Sequence, residues 1–216
     1  NRTVIAPLTA LGPNPPLERT GLLVAGQPRY LFVGRFIERK GIDVLLAAFR
    51  HVDSGELWLA GDGPLRSLVE GEAKRDPRIR FLGYADEESL PELYRQADIL
   101  MVPSLFEAWG LVVHEGLAYG LPVIATDQVA AADDLVNSGI NGYVVPAGSH
   151  EALAEAMGSV AEWSSAQWSD AAAHTRETLP KYGIDPAAEA FVRGCLLGLQ
   201  HRRGLNAPGH AAGAGM

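Results

Sequence analysis

Cysteine is nearly absent from this chain. Of its 216 residues only Cys195 is a cysteine. That excludes an internal disulfide framework and a cysteine-based zinc site, and it fits a reducing compartment. Long apolar runs are also missing. None approaches the ~20 residues that a spanning helix needs, and the opening N-R-T-V-I-A-P-L lacks the apolar stretch of a secretory signal. Positive charge is scarce: 18 Lys and Arg stand against 26 Asp and Glu, for a net charge of −8. A duplex nucleic-acid binder needs a basic face, so that class is disfavoured. A small anion needs only a few local cations and remains admissible. Several signatures are absent too. There is no G-x-G-x-x-G, no G-K-[ST] after a glycine loop, no G-x-S-x-G around Ser104 and no D-x-D pair at the loops. His51, His114, His150, His174, His201 and His210 are scattered without metal-ligand spacing.

What is present is a rhythm. Hydrophobic residues make up 47% of the chain, enough for a substantial core. Short apolar runs predict strands at Arg29–Val33, Glu56–Ala60, Arg78–Leu82, Ala97–Val102, Leu121–Ala125 and Gly142–Val145. Helical spacing predicts helices over Ile42–Val52, from Pro64 to about Lys74, and over Glu87–Gln96. Further helices are predicted from about Gly110, over Ala130–Asn137, Ser149–Trp163 and Ser165–Thr178, and from Pro186 to Gln200. The strands are near-continuous apolar runs, not alternating ones, which marks a parallel sheet covered on both faces. The expected fold is therefore α/β, a doubly wound, six-stranded, Rossmann-like parallel sheet. Ahead of it, Thr3–Leu8 is a short strand candidate and the Pro- and Gly-bearing stretch Thr9–Gly26 a linker. The Gly- and Ala-rich residues His201–Met216 are expected to form a disordered tail.

In such sheets ligands bind at the carboxyl ends of the strands. The first strand ends in G-R-F-I-E-R-K-G, Gly34 to Gly41. Arg35 and Lys40, one of only three lysines in the chain, suit a diphosphate clamp, Arg as a planar fork and Lys as a point charge. They equally suit a solvated basic turn. Gly61-Asp62-Gly63-Pro64 and Gly83-Tyr84-Ala85-Asp86 read first as turns into helices, although backbone groups at the second suit a base edge.

The fourth strand leads into S-L-F-E-A-W-G-L-V-V-H-E-G-L-A-Y-G, Ser104 to Gly120, with Glu107 and Glu115 eight residues apart. A helix starting near Gly110 leaves the amides of Trp109, Gly110 and Leu111 at its positive pole, which suits an anion. Glu115 lies one turn on. Helical side chains lean toward the N-terminus, and a carboxylate there suits a vicinal diol such as a ribose. Two glutamates at this spacing are also compatible with plain surface charge. His114 is expected to be partly exposed, and Trp58, Trp163 and Trp168 to pack in the core or at its edge.

Taken together and in order, V-G-R-F-I-E-R-K-G-I-D-V-L-L-A-A-F, L-A-G-D-G-P-L, F-L-G-Y, L-Y-R-Q-A-D-I-L-M-V-P-S-L-F-E-A-W-G-L-V-V-H-E-G-L-A-Y-G-L-P-V-I-A-T and L-V-N-S-G-I-N-G-Y-V-V-P resemble the C-terminal, donor-binding domain of retaining GT-B glycosyltransferases of the group 1, or GT4, family. The resemblance covers roughly Tyr30 to Pro146. It implies that residues 27–180 bind the nucleotide of a sugar-nucleotide donor, that 1–26 are crossover strand and linker, and that 181–200 carry a C-terminal helix. Glu107, Lys40 and Arg35 then act on the reacting sugar and its diphosphate. Gly34, Gly83, Tyr84, Ala108, Trp109, Gly110, Leu111 and Glu115 complete the donor site. No metal or cofactor is implied, since cations and amides meet the diphosphate.

Because the chain does not begin with Met, an acceptor-binding domain is expected upstream, and this half is not expected to turn over alone. The expected partners are a nucleotide sugar and that domain, with no nucleic acid. The expected location is cytoplasmic, or peripheral at the inner face of a membrane through that domain. Two departures stand out. Asp127-Gln128-Val129-Ala130-Ala131-Ala132 replaces a G-G loop, which predicts a different shape there, and Tyr182-Gly183-Ile184-Asp185 replaces the usual lead into the last helix. A non-catalytic module of the same fold and a sugar-nucleotide 2-epimerase are the alternative readings.

Overall fold

The computed structural model describes residues 27–183, 185–186, 188–193 and 195–196. The chain divides into two compact units, one of residues 10–180 and one of residues 1–9 with 181–216. The strand expected at 3–8, the linker at 9–26 and the tail at 201–216 lie outside the described residues. In the second unit, described residues between 185 and 196 are helical.

The larger unit holds six strands: β1 (Arg29–Val33), β2 (Glu56–Ala60), β3 (Ile79–Gly83), β4 (Ile99–Val102), β5 (Val123–Thr126) and β6 (Gly142–Val145). Its helices are α1 (Ile42–Phe49), α2 (Arg66–Arg75), α3 (Leu90–Gln96), α4 (Leu111–Ala118), α5 (Ala130–Leu135), α6 (His150–Ala161) and α7 (Ser165–Thr178). Every strand pairing is parallel, and the order across the sheet is β3-β2-β1-β4-β5-β6. The chain therefore reverses its direction of travel between β1 and β4, which creates a switch-point crevice at their carboxyl ends.

The apolar strands are explained by their two faces. Side chains alternate along a strand. Tyr30, Phe32, Leu57, Leu59, Ile99, Met101 and Ile124 join one buried cluster with Leu45, Leu46 and Phe49 of α1 and Leu153, Met157 and Val160 of α6. The intervening Leu31, Trp58, Leu100, Val102, Val123 and Ala125 are buried as well. On that side α4 sits so close to the sheet that a Cβ at Gly116 would lie 2.4 Å from Cδ2 of Leu100. Burial on both faces removes the polar alternation that a half-exposed strand needs.

Boundaries shift by a few residues. α2 begins at Arg66, so Pro64 lies in the lead-in turn, where the amide of Arg66 donates to Gly63 O at 3.0 Å. α3 begins at Leu90, behind an Asp86–Ser89 turn in which each side chain accepts from the other's amide. α7 has the expected bounds and starts in a reciprocal capping box between Ser164 and Gln167. Trp58 and Trp163 are buried, and Trp168 is partly buried against the core.

Candidate functional site

The loops after β1 and β4 meet across the crevice. The β1 loop ends in a 3₁₀ turn, Glu38–Lys40, closed by Gly41 in the left-handed region at φ 65°. A Cβ at Gly41 would lie 2.0 Å from the carbonyl oxygen of Pro103, so only glycine lets the two backbones approach this closely. Beyond that contact the amide of Leu105 donates to Arg39 O at 2.8 Å, and Lys40 Nζ forms an ion pair with Glu107 Oε2. Lys40 and Glu107 are both largely shielded, at 19% and 15% side-chain exposure, so their attraction is weakly screened. The charge pair and the backbone contacts fix one loop against the other.

The loop after β5 braces Glu107 from behind. Glu107 and Val129 form an isolated parallel bridge, in which the amide of Glu107 donates to Gln128 O at 2.8 Å and that of Ala130 to Glu107 O at 3.2 Å. The amide of Ala131 donates to Trp109 O at 2.8 Å. The first amides of α5, which have no partner within their own helix, are thus satisfied by carbonyls of the Glu107 loop. Val129 is fully buried and packs so near Gly110 that a Cβ there would lie 2.8 Å from its Cγ1. Asp127–Val129 thus forms a brace that carries a buried valine. Gly110 caps α4, and among the described residues the amides of Trp109, Gly110 and Leu111 donate to no backbone carbonyl. Ala108 and Leu111 are exposed.

On the other side of the switch point lies a cavity of about 540 Å³, lined by Val33, Gly34, Arg35, Ala60, Gly61, Asp62, Gly63, Tyr84 and Ala85. Tyr84 is 78% exposed at its rim. Three backbone bonds knit this wall: Gly34 N to Ala60 O at 3.0 Å, Phe36 N to Asp62 O at 2.8 Å and Gly61 N to Gly83 O at 2.7 Å. A Cβ at Gly61 would lie 1.9 Å from Gly34 O. Gly61-Asp62-Gly63, read above as a simple turn, is therefore a wall of the cavity. Its spacing matches no phosphate-loop signature, so only its position after a strand could have marked it. Asp62 shares its charge with Arg66 at 3.1 Å and accepts from the amide of Gly63 at 2.7 Å.

The structure thus brings Gly34, Arg35 and Tyr84 onto one cavity and joins Lys40 to Glu107 beside it. Gly83 supports the wall through its carbonyl. Glu115 lies one turn into α4, where its Oε2 accepts from the hydroxyl of Tyr94 on α3 at 2.7 Å. His114 corrects an expectation. It is buried, because α4 is wedged between the sheet and α5.

The family described as "Glycosyl transferases group 1" matches residues 27–162. The phosphatidyl-myo-inositol mannosyltransferase of Mycobacterium leprae is 37% identical over 144 residues, covering 62% of this chain and 38% of that protein. A glycogen synthase of Alkalilimnicola ehrlichii is 31% identical over 190 residues, covering 82% of this chain and 37% of that one. The chain spans roughly a third of the length of the curated relatives it matches. Among solved structures, sucrose-phosphate synthase from Thermosynechococcus elongatus superposes with a TM-score of 0.70 at 31% identity, over 84% of this chain and 47% of that one. Among the described residues no helix is long and apolar enough to cross a membrane.

Proposed function

The chain belongs to the group 1 glycosyl transferases, with a GT-B type α/β domain, and from that premise we propose that residues 27–180 are the donor-binding half of a retaining, GT4-type enzyme. The complete enzyme moves a sugar from a nucleotide-diphosphate donor to an acceptor. The observation that carries this reading is the Lys40–Glu107 pair across the switch point, flanked by Arg35 on one side and the first amides of α4 on the other. It puts two cations and a helix pole at the carboxyl ends of β1 and β4, where the sheet order reverses, with one carboxylate beside them.

In this reading Arg35, Lys40 and the amides of Trp109 to Leu111 hold the diphosphate as it departs from the anomeric carbon. Preorganised donors stabilise developing charge best where water is excluded. The acceptor approaches the same face, so configuration is retained. Glu107, tied to Lys40, borders the reacting sugar. Glu115 holds the ribose diol, and Gly34, Gly83 and Tyr84 border the base. No metal is required, since the cations and amides meet the charge. The acceptor site lies in an upstream domain, and the chain alone is inactive. The location is cytoplasmic, or peripheral at a membrane through that upstream domain.

Titration of the 216-residue chain with UDP, GDP and ADP tests the reading. One of them is expected to bind, and Lys40→Ala to weaken it by about tenfold or more, as for loss of a charge-assisted contact. Absence of binding for all three at millimolar concentration sinks the proposal.

A further inference from the structure

Helix α3 carries one polar group into the interior, toward α4. Tyr94 is only 2% exposed, yet its hydroxyl reaches across to α4 and donates to Oε2 of Glu115 at 2.7 Å. Its ring stacks on that of Tyr119 with centroids 5.1 Å apart and planes 15° from parallel. Tyr119 follows directly on α4, so ring and hydroxyl bind the same helix at two points one turn apart. Burial, and then the Glu115 charge, push the Tyr94 hydroxyl well above its ordinary pKa. It therefore remains a donor at any working pH.

A glutamate side chain on a helix surface has several rotamers, and holding one costs free energy. A bond to one oxygen from a buried, rigid donor removes most of that freedom before any ligand arrives. Among the described residues Tyr94 is the sole side chain that hydrogen-bonds the Glu115 carboxylate. Oε1 is thereby left to receive a hydroxyl.

We propose that Tyr94 is a positioning residue for the donor site, which presets the Glu115 carboxylate so that it accepts from a ribose diol. This rests on the assignment of Glu115 made above. It adds a residue, on α3, that does not itself touch the ligand.

The test compares ribonucleotides with their 2′,3′-dideoxy counterparts. The 216-residue chain, Tyr94→Phe, Tyr119→Phe and Glu115→Gln are titrated with UDP, GDP or ADP, whichever binds tightest, and with its dideoxy form. Tyr94→Phe keeps the ring and its stacking, so the fold is retained. It is expected to weaken the ribonucleotide about three- to tenfold, the cost of ordering one side chain, and to leave the dideoxy form unchanged. Tyr119→Phe is expected to change neither. Glu115→Gln should abolish the preference, and adding Tyr94→Phe to it should do nothing more. If Glu115→Gln removes the preference while Tyr94→Phe leaves it intact, or weakens both ligands equally, Tyr94 is merely structural and the proposal falls alone. If the unaltered chain binds both forms equally, the diol role of Glu115 falls and the proposal with it.

Discussion

On the β1–β3 side of the switch point the wall of the crevice is mostly backbone, whereas on the β4–β5 side it is mostly side chain. The first wall is three strand ends zipped by amide-to-carbonyl bonds, with Gly34, Gly61 and Gly63 at the points of approach. Arg35, Asp62 and Tyr84 decorate it. The second works through Glu107 and Glu115, each held by a side chain reaching in from elsewhere, Lys40 from the β1 loop and Tyr94 from α3. The difference teaches where each wall is vulnerable. A backbone wall fails through sterics and takes the fold with it. A side-chain wall loses a function and keeps its shape.

The largest effect is expected from Gly61→Ala. The added methyl would meet Gly34 O at 1.9 Å, a backbone atom that cannot swing aside. It must part β1 from β2 at their ends and break bonds that hold the cavity wall. A cost of about 3 kcal/mol or more is expected, at the upper end of overpacking. Urea denaturation checks it. A loss under about 1 kcal/mol would mean that the wall yields and that the contrast with the side-chain wall is overdrawn.

Glu107→Gln probes the other wall and is expected to act in the opposite sense on binding. The substitution keeps the loop brace, which is made of backbone, and removes one negative charge beside the diphosphate. Lys40 is then no longer shared. Nucleoside diphosphate affinity is expected to rise about fivefold or more, the ~1 kcal/mol that one charge about 4 Å away contributes even at the dielectric of bulk water. Sugar transfer by the complete enzyme is expected to fall. Weaker binding of the diphosphate by Glu107→Gln would show that the pair, and not Lys40 alone, forms the anion site.

The same contrast explains what was legible from the residues. Lys40, Arg35, Glu107 and Glu115 stand out only in company, since each charge alone suits a solvated surface and only its place after β1 or β4 singles it out, while the continuous apolar runs of the strands predict a sheet buried on both faces. The wall at Gly61-Asp62-Gly63 stayed hidden because a glycine needed for close approach looks like a glycine needed for a turn. The Tyr94–Glu115 contact joins residues 21 apart. No local period links them, and only the tertiary approach of Tyr94 to Glu115 and Tyr119 decides it. His114 misled for a related reason. A polar residue on an eight-residue helix suggests an exposed face, but tight packing on Leu100 below and α5 beside it leaves little of α4 in water.

The smallest effect separates stability from binding on the backbone side. Glu72 of α2 is buried, and its carboxylate takes the guanidinium of Arg50, at the end of α1, at 2.9 Å and that of Arg75 at 2.6 Å. The Arg50 hydrogen bond, despite the opposing cost of burial, holds Glu72 below the ordinary glutamate value of 4.5. A depressed carboxylate contributes stability above its unfolded pKa and loses it as pH falls through the folded one. Glu72→Gln is therefore expected to cost about 1 kcal/mol at pH 7, within the range for charge-assisted bonds with exposed partners. That difference should shrink below about pH 4.5 and vanish once the glutamate is protonated in both states. Urea melts of the two proteins at pH 7 and pH 3 measure it, and the difference between them cancels other titrating groups. Nucleotide affinity at pH 7 is expected to stay unchanged, because the cluster ties α1 to α2 away from the cavity lining. A matching loss of affinity would mean that the backbone wall depends on the seating of α2, and that its rigidity is not supplied by the strand ends alone.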